Sequence, residues 1–100
     1  MKTARADVDV GRLAKAGASL ERALRIEPRN PRLWHELARV RLKQADYAQA
    51  ESVAARSNSW AASDNYLRAE NWRLIGEARS AHGDNEGARS ALERARFIER

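Results

Sequence analysis

The chain contains no cysteine, which removes a disulfide framework, a thiolate metal site and a thiol nucleophile together. Only five glycines and two prolines occur in 100 residues. Glycines this sparse form neither a phosphate loop nor a dinucleotide fingerprint, and no Gly-x-Ser-x-Gly elbow is present. His35 and His82 are the only histidines, and neither has a second metal ligand at a convincing spacing. Valine and isoleucine are few, and period-two alternation is nowhere sustained, so a sheet is not expected. No apolar run approaches the roughly 18 residues that span a membrane, and Met1-Lys2-Thr3 is not followed by an apolar signal core. These absences assign no catalytic residue, no cofactor site and no metal site. They point away from an enzyme and from direct membrane insertion.

What the chain does contain is alanine and arginine. The apolar fraction is 43%, near the ordinary globular value, but much of it is alanine. Alanine is the best helix former and lets helices approach closely, so an all-α fold built from thin paired helices is expected. The length suits one small domain. Formal charge is +5, and 16 of the 19 basic residues are arginine. With a pI near 10.4 that composition raises a nucleic-acid hypothesis. The distribution argues against it. Basic residues alternate with 14 acidic ones without a run of adjacent positives, and many sit three or four positions from a glutamate, as in Glu21-Arg25, Glu36-Arg39 and Glu93-Arg96. That pattern describes a solvated helix surface laced with ion pairs.

The chain also repeats itself. Trp34, Leu37, Ala38, Gln44, Asp46 and Ala50 recur 38 residues later as Trp72, Ile75, Gly76, His82, Asp84 and Ala88. A period of this size with helical spacing of apolar positions signals stacked helix-turn-helix hairpins. Punctuation sets the boundaries. Asn30 is placed to cap a helix that Pro31 opens, Ala45-Asp46 forms a turn, Ser63-Asp64 offers another cap, and His82-Gly83-Asp84-Asn85 breaks a helix. The expectation is six helices, over about 3–10, 13–26, 31–44, 47–59, 64–81 and 85–99.

The same residues carry a resemblance. Pro31-Arg32-Leu33-Trp34-His35-Glu36-Leu37-Ala38, followed by Ala45-Asp46-Tyr47 and by Ala50 and Ala54, resembles the tetratricopeptide repeat (TPR). A second copy runs from Ala69 through Gly83-Asp84, Ala88, Leu92 and Ala95. An earlier one is read from its second half, with Gly11-Arg12-Leu13-Ala14-Lys15-Ala16 on the turn and Ala23 and Pro28 on the closing positions. The resemblance implies a single domain over 1–100, a short right-handed superhelix with repeats at about 1–30, 31–64 and 69–100. The first is incomplete at its N-terminus, and a chain cut from a longer protein is expected. Ser57 and Ala62 depart from the pattern's Ala and Pro, so an irregular junction is expected over 57–66, with Trp60 either under it or exposed. The repeat pattern makes Trp34, Leu37, Ala38, Ala50, Trp72, Ile75, Gly76 and Ala88 structural, the tryptophans acting as glue between hairpins.

The resemblance further implies a concave groove formed by the first helix of each hairpin. Carried over by position, its outward residues are Arg5, Val8, Arg32, His35, Arg39, Leu42, Lys43, Arg73 and Glu77, with Ser80 beyond them. The middle hairpin then offers a basic stripe with one apolar contact. Arginine forks pair well with carboxylates, so an acidic peptide or protein segment is the expected partner of an interaction scaffold. The carboxylate clamp of chaperone-binding TPR domains does not fit, because its positions hold Met1, Arg5, Glu36, Glu70 and Leu74. Self-assembly through an end face bearing Leu92, Phe97 and Ile98, giving a homodimer, is the alternative; nucleic-acid binding through arginines is a remote one. The arginine- and alanine-rich repeats look similar to TPR segments of bacterial envelope lipoproteins, which favours a periplasmic or envelope-associated parent slightly over a cytoplasmic assembly factor.

Overall fold

The computed structural model describes residues 2–99, with side chains from residue 9 onward. Five helices account for the described residues: α1 (Lys2–Ile26), α2 (Pro31–Lys43), α3 (Tyr47–Trp60), α4 (Asn65–Ala81) and α5 (Asn85–Glu99). Successive helices pack side by side, and α2 also touches α4. The result is a slab of 44 × 35 × 18 Å. Its thickness corresponds to two helix layers at about 10 Å each.

The starts of α2 to α5 each have a local cause. The Asn30 Oδ1 accepts hydrogen bonds from the Arg32 and Leu33 amides at 3.0 and 3.4 Å, and Pro31 occupies the first helical position. Asp46 takes the Gln49 amide, Asp64 the Leu67 amide and Asp84 the Gly87 amide. The ends of α2 and α4 are closed in the same way. Ala45 and Asp46 donate back to Leu42 and Arg41, and Gly83 and Asp84 donate back to Ser80 and Arg79. This is the Schellman arrangement, whose pivot residue must take a positive φ. Ala45 (59°) and Gly83 (91°) supply it.

Two expectations are corrected. The turn expected near Gly11 does not form, so the expected helices over 3–10 and 13–26 are one continuous α1. Every turn that forms ends in a capping side chain, Asn30, Asp46, Asp64 or Asp84, and the last three follow a positive-φ residue one or two positions before. Gly11 is followed by Arg12 and Leu13, which cap nothing, and one interior glycine costs only about 1 kcal/mol among strong helix formers. The junction over 57–66 is also ordered rather than irregular. Helix α3 continues to Trp60, Ala62 turns the chain at φ 51°, and α4 begins at Asn65. Trp60 is 40% exposed, with the Arg29 guanidinium 5.4 Å above its ring.

The core explains how so thin a slab holds together. Ala38, Ala50, Ala54, Leu74, Ile75, Ala78 and Ala91 form one buried cluster, with Leu42, Tyr47, Val53 and Trp72 packed against it. Alanine on both sides of each contact lets the backbones approach until little void is left. Helix α1 docks on α2 through its C-terminal half, where Leu24 is buried and Gly17 lies close under Arg41. At the repeated tryptophans, Arg56 covers Trp34 at 5.3 Å and Arg94 covers Trp72 at 4.9 Å. Trp34 is fixed further by its indole N–H, which donates to the Pro28 carbonyl at 2.8 Å.

Candidate functional site

Because α2 and α4 are the first helices of their hairpins and lie side by side, their free faces form a groove of about 550 Å³. It is lined by His35, Arg39, Leu42 and Lys43 from α2 and by Glu70, Arg73, Leu74 and Glu77 from α4. Six of the nine residues expected in a groove are thus brought together. Arg32 is exposed on the first turn of α2 and does not line it. The side chains of Arg5 and Val8 lie outside the described residues.

The two walls of the groove differ in charge. The α2 wall is cationic: Lys43 is exposed, and Arg39 reaches Glu36 only loosely, at 3.5 Å. Exposed pairs of that kind contribute little. On the α4 wall Arg73 is claimed by Glu70 beside it and by Glu99 from the end of α5. The Glu99 hydrogen bond, outweighing some desolvation, holds the Arg73 guanidinium more firmly protonated than usual. Glu77 continues that wall, which is therefore anionic on balance. Leu42, the one apolar contact expected on the middle hairpin, is faced by Leu74 from the α4 wall.

Beneath the groove is a buried polar network that sequence reasoning missed. His35 is 8% exposed, and Asn71 and Ser57 are fully buried. Ser57 Oγ donates to the Pro31 carbonyl at 2.7 Å. Asn71 Nδ2 donates to Ser57 Oγ at 2.7 Å and to Asn58 Oδ1 at 2.9 Å. Asn71 Oδ1 meets His35 Nδ1 at 2.6 Å. The network ties α2, α3 and α4 through groups that would be costly to bury unpaired. Ser57 carried the one available signal, since it stands where the repeat pattern has alanine. Its partner Asn71 had none, because it falls between the repeated positions.

Among the described residues, no group of three or more histidines and acids is placed to hold a metal ion, and no helix is long and apolar enough to cross a membrane. The structural repeat residues lie inside: Leu37, Ala38, Ala50, Ile75, Gly76 and Ala88 are buried, and Trp34 and Trp72 half-buried.

Comparison with known proteins agrees with this architecture. No curated protein matches the chain. The globular C-terminal domain of LpoP from P. aeruginosa is 47% identical and superposes with a TM-score of 0.84, over 95% of this chain and 90% of that one. The family model for the tetratricopeptide repeat matches residues 8–69. With more than half its length inside that match, and with hairpins built as the repeats require, this chain belongs to the tetratricopeptide repeat family.

Proposed function

We propose that the chain is a protein-interaction scaffold that holds a peptide or protein segment in the groove between α2 and α4. The convergence of Arg39, Lys43, Arg73 and Glu77 around Leu42 and Leu74 carries this reading. On the α2 wall Arg39 and Lys43 face acidic side chains of the partner, and Arg32 extends the same edge outward. The whole of 1–100 acts as one binding domain, with 31–64 and 69–100 as its repeat units and 1–30 contributing α1. The groove joins wall charges to two leucines and to His35 on its floor, and no catalytic role is assigned to them. The similarity to the LpoP domain supports a bacterial, envelope-associated parent protein.

The test is capture from a bacterial envelope extract on the immobilised chain, beside Arg39→Glu and, as a control on the exposed face of α5, Arg89→Glu. Reversal at Arg39 is expected to weaken capture by about tenfold, equivalent to ~1.4 kcal/mol, with the control unchanged. Equal capture by all three chains refutes the groove.

A second reading rests on a separate observation. Leu92 and Phe97 of α5 are 40% and 72% exposed, beside Ile98. Self-association through this face predicts a dimer by light scattering that Phe97→Asp dissociates and Arg39→Glu does not. A monomer at high concentration rules it out.

A further inference from the structure

The buried network settles which nitrogen of His35 carries hydrogen, and thereby what the groove floor offers. The argument starts at the Pro31 carbonyl, which can only accept, so the Ser57 hydroxyl hydrogen points to it. The Ser57 oxygen is then an acceptor toward Asn71, which must present its NH2 group there. The second hydrogen of that NH2 goes to Asn58 Oδ1. The Asn71 carbonyl oxygen is thereby turned to His35, and Nδ1 must be the donor. In the neutral ring this leaves Nε2 as a bare acceptor. Among the described residues none bonds to Nε2 and no side-chain nitrogen or oxygen is sealed away unpartnered, and His35 lines the groove. A ring more than nine-tenths buried thus presents an unfilled acceptor on the groove floor.

We infer that His35 is a recognition residue, its Nε2 accepting a main-chain N–H from an extended segment whose acidic side chains recur at every second position. The inference rests on the groove reading above and adds the ligand's conformation and charge order. In an extended chain alternate side chains project to opposite sides, and here those sides are unlike. The α2 wall, with Arg39 and Lys43, takes acids. The α4 wall, with Glu70 and Glu77 around a neutralised Arg73, takes basic or polar residues. With side chains directed to the two walls, successive main-chain N–H groups point alternately to the floor and to solvent. One of those directed to the floor meets Nε2. Asn71 is a positioning residue in this scheme, because it fixes the ring without touching the ligand.

Two experiments test this on the full chain. A long-range proton–nitrogen correlation spectrum at pH 8 reads the tautomer directly. The expected result is a protonated Nδ1 and a bare Nε2 for His35, and the opposite tautomer overturns the inference. An array of eight-residue peptides is then probed, with Glu or Asp at every second position and Ser, Ala, Leu or Lys between, beside scrambled peptides of equal composition. The tightest binder is remade with each main-chain N–H replaced in turn by an ester oxygen.

One ester is expected to weaken binding to the wild-type chain by about tenfold, the scale of one hydrogen bond left unmade. The same ester is expected to cost His35→Phe nothing further. On the wild-type chain the His35 Nε2 resonance is expected to move with the amide peptide and stay in place with that ester, a readout independent of how the variant folds. Binding that Arg39→Glu abolishes, with no ester effect and a stationary Nε2 resonance, overturns the role of His35 and spares the groove. No binding of any alternating peptide, or equal binding of scrambled ones, overturns the charge order as well.

Discussion

The α2/α3 and α4/α5 hairpins match at the repeated packing positions and at their turns, and differ along the groove and in the buried network beneath it. Trp34 and Trp72 are each covered by an arginine of the following helix. Arg41 and Arg79 each brace the turn beyond them, to Gln49 and to the Gly87 carbonyl, and each reaches back to an acid on an earlier helix, Glu21 of α1 and Glu51 of α3. Yet 38 residues on, Leu33 becomes Asn71, His35 becomes Arg73, Arg39 becomes Glu77 and Ser57 becomes Ala95. Core positions answer to a geometry that both hairpins share. The groove walls and the network beneath them lie between the hairpins, where each side meets different neighbours.

The largest break in this comparison comes from making the second hairpin more like the first. Asn71→Leu installs the residue that α2 carries at Leu33, and it removes the centre of the buried network. His35 Nδ1 loses its acceptor and Ser57 and Asn58 lose their donor, so the expected loss is about 2–4 kcal/mol. Ser57→Ala, which copies Ala95, leaves Asn71 with Asn58 and His35 and is expected to cost only about 1 kcal/mol. Urea unfolding followed by circular dichroism measures both. Equal losses would mean that the network acts by filling space rather than by its hydrogen bonds.

The same division decides what was legible in the sequence. Helix starts at Asn30, Asp46, Asp64 and Asp84, and the buried faces around Leu37, Ala38, Ile75 and Gly76, follow from local capping and from period, so sequence displays them. The unbroken α1 was missed because alignment to a repeat pattern put a turn at Gly11, while the physical requirement, a capping residue after the pivot, was absent at Arg12. Register points to six of the eight residues that line the groove but not to Glu70 or Leu74, and it does not show how the charges of the α4 wall are paired. Arg73 reads as a free cation until α5 brings Glu99 to it, a contact 26 positions apart. His35 reads as an outward residue until Asn71 claims it from 36 positions away. Long-range pairing of single polar side chains leaves no periodic trace.

A smaller effect sharpens the comparison at the turns. Both hairpins close with the same backbone bonds, but Ala45 sits at φ 59° and Gly83 at 91°. Left-handed backbone costs a side-chain-bearing residue about 1–2 kcal/mol, and the cost vanishes for glycine. Ala45→Gly is therefore expected to stabilise by up to about 1 kcal/mol, once the greater freedom of glycine in the unfolded chain is set against it. Gly83→Ala is expected to destabilise by about 1–2 kcal/mol, because φ 91° lies beyond the well that alanine tolerates. Opposite signs in denaturant midpoints support the matched turns; a loss for both would show that the two pivots are not equivalent.

The smallest expected effect lies where the helices of each hairpin come closest. Ala38 is wholly buried at the position that Gly76 takes in the second hairpin. A methyl group added at Gly76 would lie 3.3 Å from the Ala88 carbonyl oxygen and 3.3 Å from Leu92 Cγ. Leu92 is 40% exposed and free to swing, but the carbonyl moves only with its helix. Against that crowding, alanine in place of an interior glycine gains about 0.8–1.0 kcal/mol of helix propensity. The two terms oppose each other at similar size, so Gly76→Ala is expected to change stability by less than about 0.5 kcal/mol, with an unaltered denaturant slope. A loss above about 2 kcal/mol would place α4 and α5 closer together than α2 and α3, and the two hairpins would then differ in the core as well as in the groove.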